Sequence, residues 1–156
     1  VFARKPEKAL EYGIENLERC FDGVPENVTK ISHMCCGYPN ALDSENYLKA
    51  KPSAYFKIAE ALDESILDAI SIEDAHRPND LKLLEIFKET SIILGFIDVA
   101  KSKLEEVDQI RERIKQCLSH IDHHRLIAAP DCGLGLLNRQ LAIDKMKNLC
   151  TAAHSI

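Results

Sequence analysis

The chain has 156 residues, 46% hydrophobic and 29% charged, a composition that fits an ordinary globular domain rather than a disordered or fibrous chain. Its 25 acidic residues outnumber its 20 basic ones, for a formal charge of −5, and no block of like charge stands out, which argues against a nucleic-acid or anionic-membrane partner. No apolar run approaches the roughly 18 residues of a bilayer-spanning helix and no signal-peptide pattern opens the chain, so its six cysteines read as reduced thiols or metal ligands in a cytoplasmic protein.

In chain order, residues 6–23 place Ala9, Leu10, Ile14, Leu17 and Phe21 at helical spacing, and Asp22-Gly23 ends the helix. A β-branched strand follows over 28–36 (VTKISHMCC), then a helix over 54–66 and a second strand over 66–74 (ILDAISIED). Residues 80–91 (DLKLLEIFKETS) read as a helix and 92–100 (IILGFIDVA) as a third strand. Residues 107–121 read as a helix with Val107, Ile110, Ile114, Cys117, Leu118 and Ile121 on one side. Residues 125–133 (RLIAAPDCG) make the fourth strand, and Asn138 to about Ala153 the last helix.

An initial helix and four strand-helix units without hairpin signals predict an α/β fold with a parallel sheet. No GxGxxG or GxxxxGK[ST] follows the first strand, which removes the usual signature of the nucleotide-binding wound sheets. A complete (βα)8 barrel takes about 250 residues, so these units predict half of a TIM barrel, forming one partial domain over 1–156. Helices on one side only would leave the inner face open, and parallel sheets bury both faces. A missing N-terminal half-barrel or a second copy of the chain is the expected cover.

Strand alternation sets His33 and Cys35 on one face and turns Met34 and Cys36 to the other. The second strand ends at Glu73-Asp74 and the fourth at Asp131-Cys132, on the same rim, where parallel barrels carry their chemistry. His33, Cys35, Glu73 and Cys132 could there meet on one ion. Two thiolates, an imidazole and a carboxylate suit Zn²⁺, and so electron-rich a zinc favours holding a thiol as a nucleophilic thiolate over activating a carbonyl. The alternative is that the cysteines are packed in the core and the carboxylates cap helices.

At these residues the sequence resembles the C-terminal catalytic barrel of the cobalamin-independent methionine synthase family. The family's marks are a His-x-Cys after the fifth strand, a Glu after the sixth and Pro-Asp-Cys-Gly-Leu after the eighth. Here they stand as HMC at 33–35, IED at 72–74 and PDCGL at 130–134. The resemblance runs from about residue 24 to the C-terminus and implies strands five to eight of the barrel. It implies zinc held by His33, Cys35, Glu73 and Cys132, and methyl transfer from a methylfolate, or in a shorter relative a methylcorrinoid, to a homocysteine-like thiol.

The sequence departs from the family at Asp98-Val99-Ala100-Lys101, where methionine synthases carry Asp-Ile-His-Ser. Ala100 cannot carry the proton that the family's histidine is thought to move. His76, in the DAHRPND loop on the same rim, is the expected substitute, with Asp98 as the second catalytic candidate. A zinc-binding half-barrel without catalysis, used for storage or assembly, is the alternative, while the zinc-free uroporphyrinogen decarboxylase side of the superfamily does not need this ligand set. HIDHHR at 120–125 is read as closing a helix with favourable dipole contacts, and Cys20, Cys117 and Cys150 as helix residues open to core packing.

Overall fold

The computed structural model describes residues 5–156, so the first four residues of the expected domain lie outside the described ones. The chain opens with α1 (Pro6–Lys8), a π-helical segment (Ala9–Gly13) and α2 (Ile14–Arg19), with right-handed helical backbone at each junction. The Ile14 N–H reaches the Ala9 carbonyl, and this wider turn rotates the apolar face. Ala9 and Gly13 are buried, while Leu10, expected on that face, is 53% exposed.

Four strands follow in sheet order β1 (Ile31–Met34), β2 (Ala69–Ile72), β3 (Ser91–Ile97) and β4 (Leu126–Pro130), all parallel. Between them lie α3 (Ser53–Asp63) and α4 (Val107–Cys117), and α5 (Arg139–Ala153) closes the chain with the Asn138 side chain capping its first turn. The fold class is the expected α/β one. Each predicted strand ends earlier than the sequence suggests, so Cys35, Glu73, Asp131 and Cys132 sit just past the strand ends.

Residues 80–91 are not the expected α-helix. Only Leu81–Leu83 forms a 3-10 turn, and the N–H groups of Leu84, Glu85 and Ile86 reach carbonyls three residues back. The reason is competition for donors: the N–H groups of Lys88, Glu89 and Thr90 go to the Asp63 carboxylate at 2.8, 3.1 and 2.9 Å. The apolar residues Leu83, Leu84 and Phe87 are still buried, so the pattern that suggested a helix serves the core through tight turns. Likewise α4 stops at Cys117, and His123–Arg125 is a separate 3-10 turn capped by Asp122, not the end of a helix. Of the three helix cysteines, Cys117 is in the core and Cys20 and Cys150 are exposed.

Ile70, Ile72, Ile92 and Leu94 point to the helical side and are 0–1% exposed. The other face carries His33, Ser71, Ile93 and Ile127, which are register partners across all four strands. It is more open: Ile31 and Ile127, on the two outer strands, are 48% and 47% exposed.

The rim is held by Asp131. Its Oδ1 accepts the N–H groups of Asp74 and Ala75, both at 2.9 Å, and its Oδ2 accepts that of His76 at 2.8 Å, so three consecutive donors of the loop after β2 converge on one carboxylate. Burial nevertheless pushes its pKa up to about 6, against the pull of those three donors. Asp131 lies over Gly95, where an added Cβ would meet its Oδ1 at 2.1 Å and its Cα at 2.6 Å. Both opposing groups are fixed.

Gly95→Ala should therefore lower stability by about 1–3 kcal/mol, read as a fall in the urea midpoint at unchanged slope, because a Cβ is forced into a packed site. A second expectation concerns pH. Burial opposes ionisation of Asp63, yet the donors of Thr90, Lys88 and Glu89 hold its pKa below the ordinary value. The stabilisation is present above the unfolded-state pKa of about 3.9 and is lost as pH falls through the lower folded value. The stability gap between wild type and Asp63→Asn should be open at pH 7 and shrink below about pH 4; a gap independent of pH would contradict this assignment.

Candidate metal centre

β1 and the loop leaving it set the first two expected ligands. His33 is within the strand, with Nδ1 2.9 Å from the Ser71 hydroxyl on the neighbouring strand, which leaves Nε2 without a hydrogen-bond partner among the described residues. Burial lowers the His33 pKa, with Glu73 acting in the opposite sense, so the ring is neutral near pH 7 and can donate an electron pair. Cys35 follows one residue past the strand end, its sulfur accepting the Gly37 N–H at 3.4 Å. Gly37 has φ +132°, and a Cβ there would meet the Leu48 carbonyl oxygen at 2.7 Å. Only glycine permits this return of the chain, which the Ala50 N–H to Cys36 carbonyl bond of 2.8 Å then fastens.

His33, Cys35 and Cys132 bring one ligand atom each to within 4.8 Å of the others. Glu73 borders this group without joining it. The Cys35 thiol donates to its Oε1 at 3.4 Å, while its Oε2 lies 3.1 Å from Lys49 Nζ and accepts the Cys36 N–H at 3.3 Å. Cys36 itself is 4% exposed and stands apart from the three-residue group. Tyr55 stitches this region from α3, donating its hydroxyl to the Met34 carbonyl at 2.7 Å and accepting the Glu73 N–H at 3.4 Å.

The donor set fits a borderline-soft dication. Metal–ligand bonds of about 2.0–2.3 Å place tetrahedral ligand atoms about 3.3–3.8 Å apart, separations compatible with a group whose ligand atoms lie within 4.8 Å of one another. Burial pushes the Cys35 thiol up to about 12, with Glu73 and Cys132 also raising it, so the thiolate needs a cation.

The two other expected site residues also meet, on the same rim. His76 Nδ1 lies 3.0 Å from Asp98 Oδ2, and its Nε2 2.8 Å from the Tyr47 hydroxyl. An ionised carboxylate can only accept, so Nδ1 donates to it, which leaves Nε2 of that tautomer to accept a hydrogen bond from the Tyr47 hydroxyl. Asp98 is fixed in turn by its backbone. Its carbonyl accepts Lys145 Nζ at 2.9 Å and its N–H donates to Glu105 Oε1 at 3.0 Å, while Lys145 and Glu105 pair at 2.8 Å. Asp74 is not turned to the centre: Arg113 of α4 holds its two oxygens from Nε and Nη2 at 2.8 and 2.9 Å.

Tyr47, Lys49, Glu105, Arg113 and Lys145 escaped the sequence reading. Lys145 left a signal, because it stands with Leu149 and Ala152 in the buried stripe of α5, where a lysine at 0% exposure requires a partner. Tyr47 and Lys49 left none, since they lie in a loop without periodicity. The same loop crosses the rim: Asp43 N–H bonds the Ala100 carbonyl at 2.8 Å, Lys101 pairs with Glu45, and Tyr38 donates to the Gly133 carbonyl at 3.0 Å. Gly133 and Gly135 have open space where a Cβ would stand, so the turn after Cys132 does not require them.

Known proteins resemble this chain in sequence and fold. A methionine synthase of Pyrococcus furiosus is 30% identical over 105 residues, covering 67% of this chain and 31% of its own length. A 2-hydroxypropyl-CoM lyase of Xanthobacter autotrophicus is 29% identical over an alignment covering 89% of this chain and 43% of its own. The structure of a B12-independent methionine synthase from Shewanella sp. W3-18-1 superposes with a TM-score of 0.84 at 24% identity, over 99% of this chain and 45% of that one. That overlap shows the shared fold, and the chain spans between about a third and a half of the length of these proteins. The family model described as cobalamin-independent synthase, catalytic domain, matches residues 51–155, which include Glu73, His76, Asp98 and Cys132 and leave out His33 and Cys35. That match spans most of the sequence, and the chain belongs to the cobalamin-independent synthase catalytic-domain family.

Proposed function

We propose that residues 1–156 form the metal-holding half of a methyltransferase barrel of the methionine synthase type, which moves a methyl group to the sulfur of a homocysteine-like thiol in the cytoplasm. The observation that carries this reading is the meeting of His33, Cys35 and Cys132 within 4.8 Å, with Glu73 against the Cys35 sulfur. His33, Cys35, Cys132 and Glu73 would hold Zn²⁺. When bound, zinc would supply a pKa-lowering, weakly acidic centre that keeps a thiol ionised and nucleophilic at neutral pH.

The protein's own groups supply the rest. Ser71 fixes the His33 ring, and the loop after β1 roofs the rim. Asp98 orients His76, which carries the proton released by the acceptor thiol or needed by the departing donor; Tyr47 closes the path at Nε2. The methyl donor is a methylfolate or a methylcorrinoid.

The open face with Ile31 and Ile127 calls for a complement. The N-terminal half of a barrel fits the length of the relatives, and a second copy of this chain is the other candidate. A second reading, a zinc-holding half-barrel without catalysis, is favoured by that same open face. The relative named for 2-hydroxypropyl-CoM supports a reaction at a thiol-derived substrate other than homocysteine.

Metal analysis of the purified chain should find about one zinc per chain, and Cys35→Ser or Cys132→Ser should weaken zinc at least about tenfold in a chelator competition. Less than half occupancy in the wild type, unchanged by Cys35→Ser, would rule the centre out. Methyl transfer to homocysteine should be close to nil for the chain alone and should appear when an N-terminal half-barrel is supplied. In that assembly His76→Ala should cut turnover about a hundredfold while zinc content stays at the wild-type level. Full turnover by a monomeric chain of 156 residues would contradict the half-barrel reading.

A further inference from the structure

Among the four expected ligands, Glu73 is the one outside the converging group, and its position has a specific cause. Its side chain and that of Lys49 are 5% and 10% exposed, and Lys49 Nζ stands 3.1 Å from Oε2, which also accepts the Cys36 N–H at 3.3 Å. Oε1 faces the other way, 3.4 Å from the Cys35 sulfur. The carboxylate thus straddles two places, one oxygen at the edge of the centre and one on a fixed cation. The terminal torsion of a glutamate is broad, so a small rotation moves it between them.

Lys49 does not follow. Its loop is fastened on both sides, by the Tyr47 hydroxyl on His76 and by Ala50, whose N–H bonds Cys36 and whose carbonyl accepts Arg77. A buried carboxylate released from a metal needs a partner waiting for it, and an unpaired buried charge would oppose its release.

We propose that Lys49 is a positioning residue that receives the Glu73 carboxylate when a substrate thiol takes its place at the metal centre. The proposal rests on the zinc–thiolate reading above. The exchange balances: the thiol gives up its proton, which His76 or water takes, and would enter as a thiolate; Glu73 would leave as a carboxylate and pair with the Lys49 ammonium, and the charge of the ligand set is unchanged. Lys49 therefore sets how readily carboxylate yields to sulfur. It lowers the affinity for metal in exchange for affinity for thiol.

The test uses the full chain, with zinc affinity from chelator competition and homocysteine affinity from the sulfur-to-metal charge-transfer band of the cobalt(II)-loaded protein. Lys49→Met should bind zinc about tenfold more tightly and homocysteine about tenfold more weakly. Lys49→Arg should stay close to wild type, and Lys49→Gln should fall between, so the result does not hang on one variant folding. In a Glu73→Gln background, Lys49→Met should change neither affinity, because the residue acts through the carboxylate. Loss of both affinities, or the same changes with Glu73 replaced, would overturn the proposal in favour of a structural role or a general field effect. A wild-type chain without zinc overturns the metal reading itself. One that binds zinc and homocysteine, with Lys49→Met indistinguishable from it, removes the role of Lys49 alone, as does a zinc-loaded chain that never takes the thiol.

Discussion

The rim depends on a single carboxylate placed where the sheet leaves no room for a side chain. Asp131 leaves β4 over Gly95 of β3 and gathers three successive N–H groups of the loop after β2. That loop carries Glu73 just before its first bonded residue and His76 as its last, while Cys132 follows Asp131 directly in the chain. One buried interaction therefore ties the metal-ligand candidates of two strands to each other and to the histidine proposed for proton transfer. Three donors on one carboxylate are a strong anchor, and the opposing desolvation, which raises the Asp131 pKa, is the cost of placing it in the interior.

Three further charge pairs hold the rim loops, two of them from the layer of helices. Arg113 reaches Asp74 from α4, Lys145 reaches Glu105 and the Asp98 carbonyl from α5, and Lys49 reaches Glu73 from the loop after β1. Buried pairs of this kind add little net stability, because each charge gives up its hydration, but losing one partner strands the other. Their value here is directional. Each ties down a rim segment, and the connections after β1, β2 and β3 thereby present side chains in a fixed arrangement.

Local residue patterns carried the architecture well where local forces decide it. Alternation and helical spacing located β1 to β4, α3, α4 and α5 because each buries one face against a neighbour. They failed where a distant group captured local donors: Asp63, at the end of α3, takes the N–H groups of 88–90 and unmakes a helix that the apolar spacing favoured. They failed again at Leu10, where a π turn of one extra residue shifts the face. At the centre, chemistry-bearing residue types at strand ends gave His33, Cys35 and Cys132, which converge, and His76 with Asp98, which touch. Lys49 and Tyr47 were illegible because nothing in a loop without periodicity says which way a side chain will turn.

The candidate centre lies beside the more open face of the sheet. His33 belongs to β1, an outer strand paired on one side only, and its face continues through Ser71 and Ile93 to Ile127 on the other outer strand. The opposite face is fully buried at Ile70, Ile72, Ile92 and Leu94 of the two central strands, whereas this one is left half-open beneath the rim that carries the candidate ligands. A zinc–thiolate chemistry needs a dry surround, since water competes for the metal and screens the charges that tune a thiol. The four strands fix where the ligands stand. Under the proposed reading, a group that closes the inner face would also set the solvent around them.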